Sequence, residues 1–276
     1  FFCSKTELIE YELGRNMNFI FPAKEKVKAI IFAGHGLNQN PKALHPLFND
    51  FASYGIQVNL YSLPDHGGNR EPEFHDKEDS IYLSYHKNLN IVREESAEKQ
   101  VPLLIFGYSY GGLLGVRYQM EEKIALRGLY FAPALHLRWY APFIQWLIPW
   151  VKKVHSVPIG SAEVENKYRY HQKGVPAGVY RQFFMNYQKV QNDKKSFLNL
   201  QAEGLCWIDP LDELVSWQGL KNWTEPLGWD LCKTSNRQGS LRRAHHLNFN
   251  SETLGDALYE KVLKSSVKYI LNETVL

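Results

Sequence analysis

The tightest constraint on the fold is a short apolar strand that runs directly into Gly107-Tyr108-Ser109-Tyr110-Gly111 and leaves it as a helix. Val101 to Phe106 reads as a buried strand, and the residues from Gly111 onward read as a helix. A serine at such a junction sits on a sharp, strained turn. Glycines on both flanks are required there, because side chains would collide with the neighbouring strand and helix. The G-x-S-x-G string alone arises by chance in about one chain in ten of this length. Its strand-turn-helix setting is what makes Ser109 a candidate nucleophile.

The rest of the chain repeats the same alternation. Leu8 to Leu13 and Met17 to Phe21 form a predicted hairpin. Val27 to Ala33 is a buried strand ending at Gly34-His35-Gly36, and Ala43 to Tyr54 is a helix closed by Gly55. Ile56 to Leu63 is a strand, Ser80 to Lys99 a long helix, and Leu126 to Phe131 a strand ending at Ala132-Pro133. Strands alternating with helices imply parallel pairing with helices on both faces. The rhythm breaks over 133–198, which is rich in aromatics and prolines. It resumes with strands at Ala202 to Ile208 and Leu227 to Thr234. A final helix is expected from Thr253 to Leu271, with Ser251 as its cap and Glu252 in its first turn. The expected architecture is an α/β core formed by 1–132 and 199–276, interrupted by a mainly helical insertion, 133–198.

The chain has 276 residues, 44% of them hydrophobic, which is ample for one large core. Its 32 basic and 29 acidic residues are interspersed with no basic block, so nucleic acid is excluded as an expected partner. Cys3, Cys206 and Cys232 match no zinc or redox spacing. Cys206 reads as a buried thiol, and a Cys206–Cys232 disulfide is the less favoured alternative. The longest apolar run, Trp139 to Val151, contains Pro142 and Pro149 and is shorter than the roughly 20 residues a spanning helix needs. The chain opens on Phe1 rather than methionine, as expected where a leading segment such as a signal peptide has been removed. Asn222-Trp223-Thr224 and Asn272-Glu273-Thr274 match glycosylation sequons, which matter only in a eukaryotic secretory protein. No compartment is assigned.

A serine hydroxyl needs a base to take its proton, and the base needs an acid to orient it. The strand-turn-helix serine calls for the chain order serine, acid, histidine. His136, His155 and His171 fall in the insertion, which leaves His245 and His246 as candidates for the base. The strand ending at Ile208 is followed by two candidate acids, Asp209 and Asp212. Asp209 precedes a proline and reads as a turn residue. Asp212 stands ahead of Glu213-Leu214-Val215 and is favoured. An oxyanion needs backbone donors, expected from the N–H groups of Leu37, after His35-Gly36, and of Tyr110. His35 itself reads as a structural loop residue.

These pieces together resemble the α/β-hydrolase superfamily, in particular its lysophospholipase, monoacylglycerol lipase and carboxylesterase branch. The matching motifs are His35-Gly36-Leu37, Leu63-Pro64-Asp65-His66-Gly67, the Gly107 to Gly112 turn, Asp212 to Ser216, and His245-His246-Leu247 before the last helix. They span nearly the whole chain in the family's order. Asp209 is a departure, since the family carries glycine or a small residue there. The resemblance implies hydrolysis of carboxylic esters through an acyl-enzyme on Ser109, with no metal or organic cofactor. Because the family's histidine precedes a bulky residue and then leucine, it points to His245. Thioesterase and aminopeptidase-like amidase activities are the enzymatic rivals, and a catalytically inactive binding protein is the non-enzymatic one. The resemblance also makes the insertion a cap, with Trp139, Phe143, Trp146 and Trp150 expected at the substrate pocket. Aromatics followed by Lys152 and Lys153 also suit a lid that touches a membrane surface transiently. The expected partner is a small-molecule or lipid ester.

Overall fold

The computed structural model describes residues 9–13, 16–64, 66, 79–151, 153–154, 168–170, 175–234 and 244–273. Cys3, Gly67, His155, His171, Lys152 and Thr274 lie outside the described residues.

An eight-stranded sheet organises the chain. Its strands are β1 (Ile9–Leu13), β2 (Asn16–Phe21), β3 (Ala29–Gly34), β4 (Ile56–Tyr61), β5 (Leu103–Tyr108), β6 (Arg127–Phe131), β9 (Gly204–Ile208) and β10 (Asp230–Lys233). They lie in the order β1-β2-β4-β3-β5-β6-β9-β10. The β1–β2 and β2–β4 pairs are antiparallel, and every pair from β4 to β10 is parallel. The central strands are continuous apolar runs because both of their faces are covered. Alternate side chains separate into two cores. Ile30, Phe32 and Ile105 pack beneath α2 (Ser80–Lys99), α3 (Tyr110–Glu122) and α5 (Ala177–Asn192). Ile31, Ala33, Leu104 and Phe106 pack beneath α1 (His45–Ala52) and α9 (Asp256–Leu271).

Between β6 and β9 the chain forms α4 (Ala141–Leu147), a small β7–β8 pair (Lys153–Val154 with Val175–Pro176), α5 and α6 (Lys194–Leu200). Val179, Phe183, Phe184 and Val190 of α5 are buried in the same core as α2 and α3. Much of the second half of the insertion is therefore packed into the core, while α4 stands over the carboxyl ends of the strands.

α7 (Trp217–Thr224) follows the β9 loop, capped by the Ser216 hydroxyl, which accepts from Gly219 N–H at 3.2 Å. The expectation for the last helix needs correction. The last helix is divided into α8 (Ser251–Leu254) and α9 at Gly255, where φ is +80°. Its cap is Asn250, whose side-chain oxygen accepts from Thr253 N–H, rather than Ser251. No disulfide joins Cys206 to Cys232: both are free thiols, and Cys206 is buried. Among the described residues no helix is long and apolar enough to cross a membrane.

Candidate active site

Ser109 occupies the turn between β5 and α3 with φ 49° and ψ −112°, a conformation L-residues rarely adopt. The turn is pinned on every side. Ser109 N–H donates to the Phe131 carbonyl at 3.0 Å, Gly111 N–H to the His35 carbonyl at 3.0 Å, and Ala134 N–H to the Ser109 carbonyl at 2.9 Å. Gly111 is required by close approach: a Cβ there would stand 2.1 Å from the Gly34 carbonyl oxygen. A Cβ on Gly107 would stand 2.4 Å from Gly112 Cα. Both collisions are of the kind that the motif implied.

The loop after β9 places its three carboxylates against one pair of histidines. Asp212, fully buried, accepts Leu214 N–H and Val215 N–H on Oδ1, each at 2.8 Å, and the Nδ1 of His246 on Oδ2 at 2.8 Å. Asp209 accepts the Nδ1 of His245 on Oδ2 at 2.9 Å and Leu211 N–H on Oδ1 at 2.8 Å. Glu213 accepts the backbone N–H of His246 at 3.1 Å. The expected partnership of Asp212 with His245 is thus not the one the structure makes. The cause is local. A turn from Ala244 to Leu247, the Tyr108 hydroxyl on the His246 carbonyl at 3.1 Å, and Glu213 on its N–H together turn His246 inward. His245 pairs with Asp209 instead and is partly exposed.

Burial disfavours the charged form of His246. The Asp212 carboxylate, its hydrogen bond to Nδ1 and the nearby Glu213 carboxylate outweigh that, so its pKa is raised above the ordinary histidine value. The Nδ1–H to Asp212 leaves Nε2 of the neutral ring as its proton acceptor. Arg138 braces the same loop from the start of the insertion, with Nε donating to the Asp212 carbonyl at 2.8 Å.

The loop after β3 is held by two more histidines. His35 is fully buried; its Nδ1–H donates to the Gly36 carbonyl at 2.8 Å and its Nε2 accepts Leu63 N–H at 2.9 Å. Burial lowers its pKa to about 4, against the opposing effect of the Gly36 hydrogen bond, so the ring is neutral. His66 Nε2 accepts Asn38 N–H at 3.0 Å, and Gln39 Oε1 accepts Gly36 N–H at 2.8 Å. Among the described residues, no acceptor engages the N–H groups of Leu37 and Tyr110.

Ser109, His246, Gly36, Leu37 and Tyr108 border one cavity of about 190 Å³. Its far walls are apolar: Leu137, Ala141 and Ile144 from the α4 region, Phe183 and Phe184 from α5, and Leu214 and Val215. His245 does not border it, nor do Trp139, Phe143, Trp146 or Trp150. Those four aromatics are 88%, 60%, 63% and 78% exposed. The helical period explains the division. Ala141, Ile144 and Ile148 share the inward face of α4 and its short extension, which turns the aromatics of the same stretch outward. Among the described residues no cluster of His, Cys, Asp and Glu could hold a metal ion. Gln39, Arg138 and the Tyr168-Arg169 segment belong to no recognisable motif and were not singled out from the sequence, and Glu213 was not singled out within the Asp212 to Ser216 motif.

Comparison with known proteins adds to this geometry. A family model described as Hydrolase_4, serine aminopeptidase, S33, matches residues 25–193. An uncharacterized abhydrolase domain-containing protein of Dictyostelium discoideum is 31% identical over 100 residues, which are 36% of this chain and 10% of that protein. Among solved structures, a monoglyceride lipase from Saccharomyces cerevisiae is similar with a TM-score of 0.74 at 13% identity, covering 98% of this chain and 96% of that one. A monoacylglycerol lipase from Paleococcus ferrophilus gives 0.68 at 14% identity, covering 94% and 99%. A carboxyl esterase from Bacillus coagulans gives 0.63 at 11% identity, covering 96% and 98%. Identities this low show a shared fold.

Proposed function

Because this α/β-hydrolase belongs to the Hydrolase_4 family (serine aminopeptidase, S33), we propose that it is a serine hydrolase cleaving carboxylic esters with an apolar acyl chain. The observation that carries the reading is that Ser109 and the Asp212–His246 pair, joined at 2.8 Å, open on one largely apolar cavity. In this reading His246, not His245, is the general base. Its Nε2 takes the Ser109 proton as Oγ attacks the ester carbonyl, and Asp212 fixes the tautomer and stabilises the imidazolium. The N–H groups of Leu37 and Tyr110 receive the oxyanion. His246 returns the proton to the departing alcohol, leaving an acyl-enzyme, and a water deprotonated by the same ring releases the acid.

The family description also names aminopeptidase activity. An aminopeptidase must meet its substrate's terminal ammonium, and no carboxylate is present among the described residues bordering the cavity. The apolar walls instead favour an acyl chain, each buried methylene contributing about 0.8 kcal/mol. The outward Trp139, Phe143, Trp146 and Trp150 support a transient contact with a lipid surface, for which exposed aromatics are suited.

The test is labelling of Ser109 by a fluorophosphonate, together with kcat/KM for p-nitrophenyl esters. Ser109→Ala, His246→Gln and Asp212→Asn should each lose several orders of magnitude. His245→Gln and Asp209→Asn should keep most turnover. A folded His246→Gln enzyme with native turnover, or one silenced by His245→Gln instead, refutes the assignment.

A further inference from the structure

The core shared by α2, α3 and α5 carries a buried polar cluster that the proposed chemistry does not use. Arg117 of α3, 3% exposed, sets its guanidinium on both carboxylate oxygens of Asp79, and Nη1 also donates to Asn186 Oδ1. Its Nε donates to Glu121 at 2.7 Å, and its Cζ stands 3.5 Å from the centroid of the Tyr82 ring. Asp79 accepts Lys189 Nζ as well, at 2.7 Å. Burying such a pair carries a large desolvation cost, and apolar residues of similar volume are often as stable, so the pair is weak evidence of stabilisation. What it supplies is direction.

The cluster grips one side of α5. Gln182, Asn186 and Lys189 recur at intervals of four and three residues, on one stripe of the helix. Gln182 Oε1 accepts Ile81 N–H at 2.8 Å, one of the orphan donors in the first turn of α2, and its Nε2 donates to Ser80 Oγ at 3.0 Å. Asn186 Nδ2 donates to the Tyr110 hydroxyl at 3.0 Å. Tyr180, Phe183 and Phe184 of the same helix border the cavity. At the pitch of an α-helix the centres of these two stripes lie about 145° apart.

Tyr110 follows the candidate nucleophile directly, and the Phe183 ring packs edge-on against the Tyr110 ring with centroids 5.0 Å apart. The part of the cavity wall that α5 supplies is therefore referenced to the serine turn and to the start of α2 by hydrogen bonds of fixed direction. Apolar contacts alone hold a helix at about the right distance but leave its roll loosely set, because cores lose uniqueness of packing before they lose stability. A wall that favours one acyl length has to keep its rings at a fixed depth, since each methylene discriminates only weakly.

We infer that Asn186, Gln182 and the Arg117–Asp79 pair are positioning residues that set the roll of α5 and, through Phe183 and Phe184, the acyl-chain length that the enzyme selects. The inference rests on the esterase reading above. None of these four side chains borders the cavity, so they act through the rings that do.

The experiment measures kcat/KM for p-nitrophenyl esters from acetate to dodecanoate, all below their aggregation limits. The native profile should peak at one chain length. Asn186→Leu and Gln182→Leu should each flatten it, lowering the ratio of the best ester to acetate by about tenfold, the worth of close contact along roughly two methylenes. Asn186→Asp still accepts from Arg117 and takes the Tyr110 hydroxyl as a donor, so it should keep the native profile. A triple variant, Arg117→Met with Asn186→Leu and with Asp79→Asn to suit the left-handed backbone at φ 64°, should hold its denaturation midpoint and still lose selectivity, which a merely stabilising cluster would not do. If the triple variant does not fold, the two single variants decide. A native profile without a peak overturns the inference. So does an equal loss on every ester in Asn186→Leu and Gln182→Leu, an unmoved ratio in both, or the same loss in Asn186→Asp as in Asn186→Leu. If esters are cleaved and the ratio stays, the positioning role fails and the esterase reading stands. If no ester is cleaved, the esterase reading fails and calorimetric binding of octanol against butanol decides the role of the wall. A native preference for octanol that Asn186→Leu reduces supports that role, and a preference that is absent or survives overturns it.

Discussion

Replacing Glu213 with glutamine should make the enzyme a better catalyst in acid. Glu213 accepts the His246 backbone N–H at 3.1 Å, which places its charge roughly 6 Å from the imidazole. Because Glu213 is only partly buried, a water-like dielectric applies, and the attraction to the protonated ring is about 0.7 kcal/mol. That is a factor of about three in proton affinity. The other groups around the ring are the Asp212 carboxylate, the Tyr108 ring, tilted with its centroid 5.2 Å away, and the neighbouring His245–Asp209 pair, and none of these changes. The base works as the neutral ring, so kcat/KM along its acid limb follows the neutral fraction. Without the carboxylate the ring releases its proton at lower pH, and kcat/KM below the limb rises about threefold with no gain on the plateau. Glutamine still offers an oxygen to the His246 N–H. Glu213→Ala does not, and should lower the plateau as well. The assay is the pH profile of kcat/KM on a soluble p-nitrophenyl ester, with the His246 ring followed by NMR in the free enzyme. An acid limb that stays in place or moves to higher pH refutes the reasoning.

Gly111→Ala should cost more than about 3 kcal/mol in chemical denaturation, because its methyl would meet the backbone of central strand β3 at 2.1 Å; a variant of native stability contradicts the packing. Stability should fall as pH drops from about 6.5 to about 4, His35 supplying about 3 kcal/mol of the loss, since its folded pKa is depressed and the unfolded chain takes up the proton first. His45, also lowered to about 4 by burial and by Lys42, steepens the same limb, and His35→Asn should flatten the stability profile by one proton. Ile144→Ala with Phe183→Ala should lower kcat/KM for decanoate esters more than for acetate esters. Trp146→Ser with Trp150→Ser should leave that ratio alone and weaken sedimentation with lipid vesicles; a collapse of decanoate selectivity instead would put the tryptophans inside the pocket.

The parallel sheet and the strained serine were legible because each rests on short-range rules. Apolar runs of strand length and glycines at a crowded turn declare themselves in the sequence. The choice between His245 and His246 was not legible. Two aspartates three positions apart and two adjacent histidines allow more than one pairing, and the Tyr108 hydroxyl, distant in sequence, helps decide which ring turns inward. The α4 aromatics misled for a related reason. Their spacing shows that they share one side of the helix, but not that the smaller Ala141 and Ile144 own the inward face. Arg169 and Gln39 stay hidden in sequence because a single backbone bridge between loops 130 positions apart brings them together.

The two kinds of histidine in this site divide the response to acid between them. His35 bridges the Gly36 carbonyl and Leu63 N–H, donating with one ring nitrogen and accepting with the other, which only a neutral imidazole can do. His66 does the same between the Pro64 carbonyl and Asn38 N–H. These bonds, together with Gln39 on Gly36, fix the loop that carries Leu37 N–H without any contact from substrate. Rigidity of that kind is what preorganised oxyanion donors need. It also means that a proton on His35 would turn an accepting nitrogen into a donor facing another donor. His246 is raised above the ordinary histidine value and His35 is lowered to about 4, so acid reaches the base first. Turnover should be lost reversibly while the oxyanion loop is still formed, and only near pH 4 should the loop itself give way. Fluorophosphonate labelling after a brief acid pulse and return to neutral pH separates the two stages. Full recovery from the first and slow or partial recovery from the second is the expected order, and the opposite order would mean that the loop, not the base, sets the acid limit.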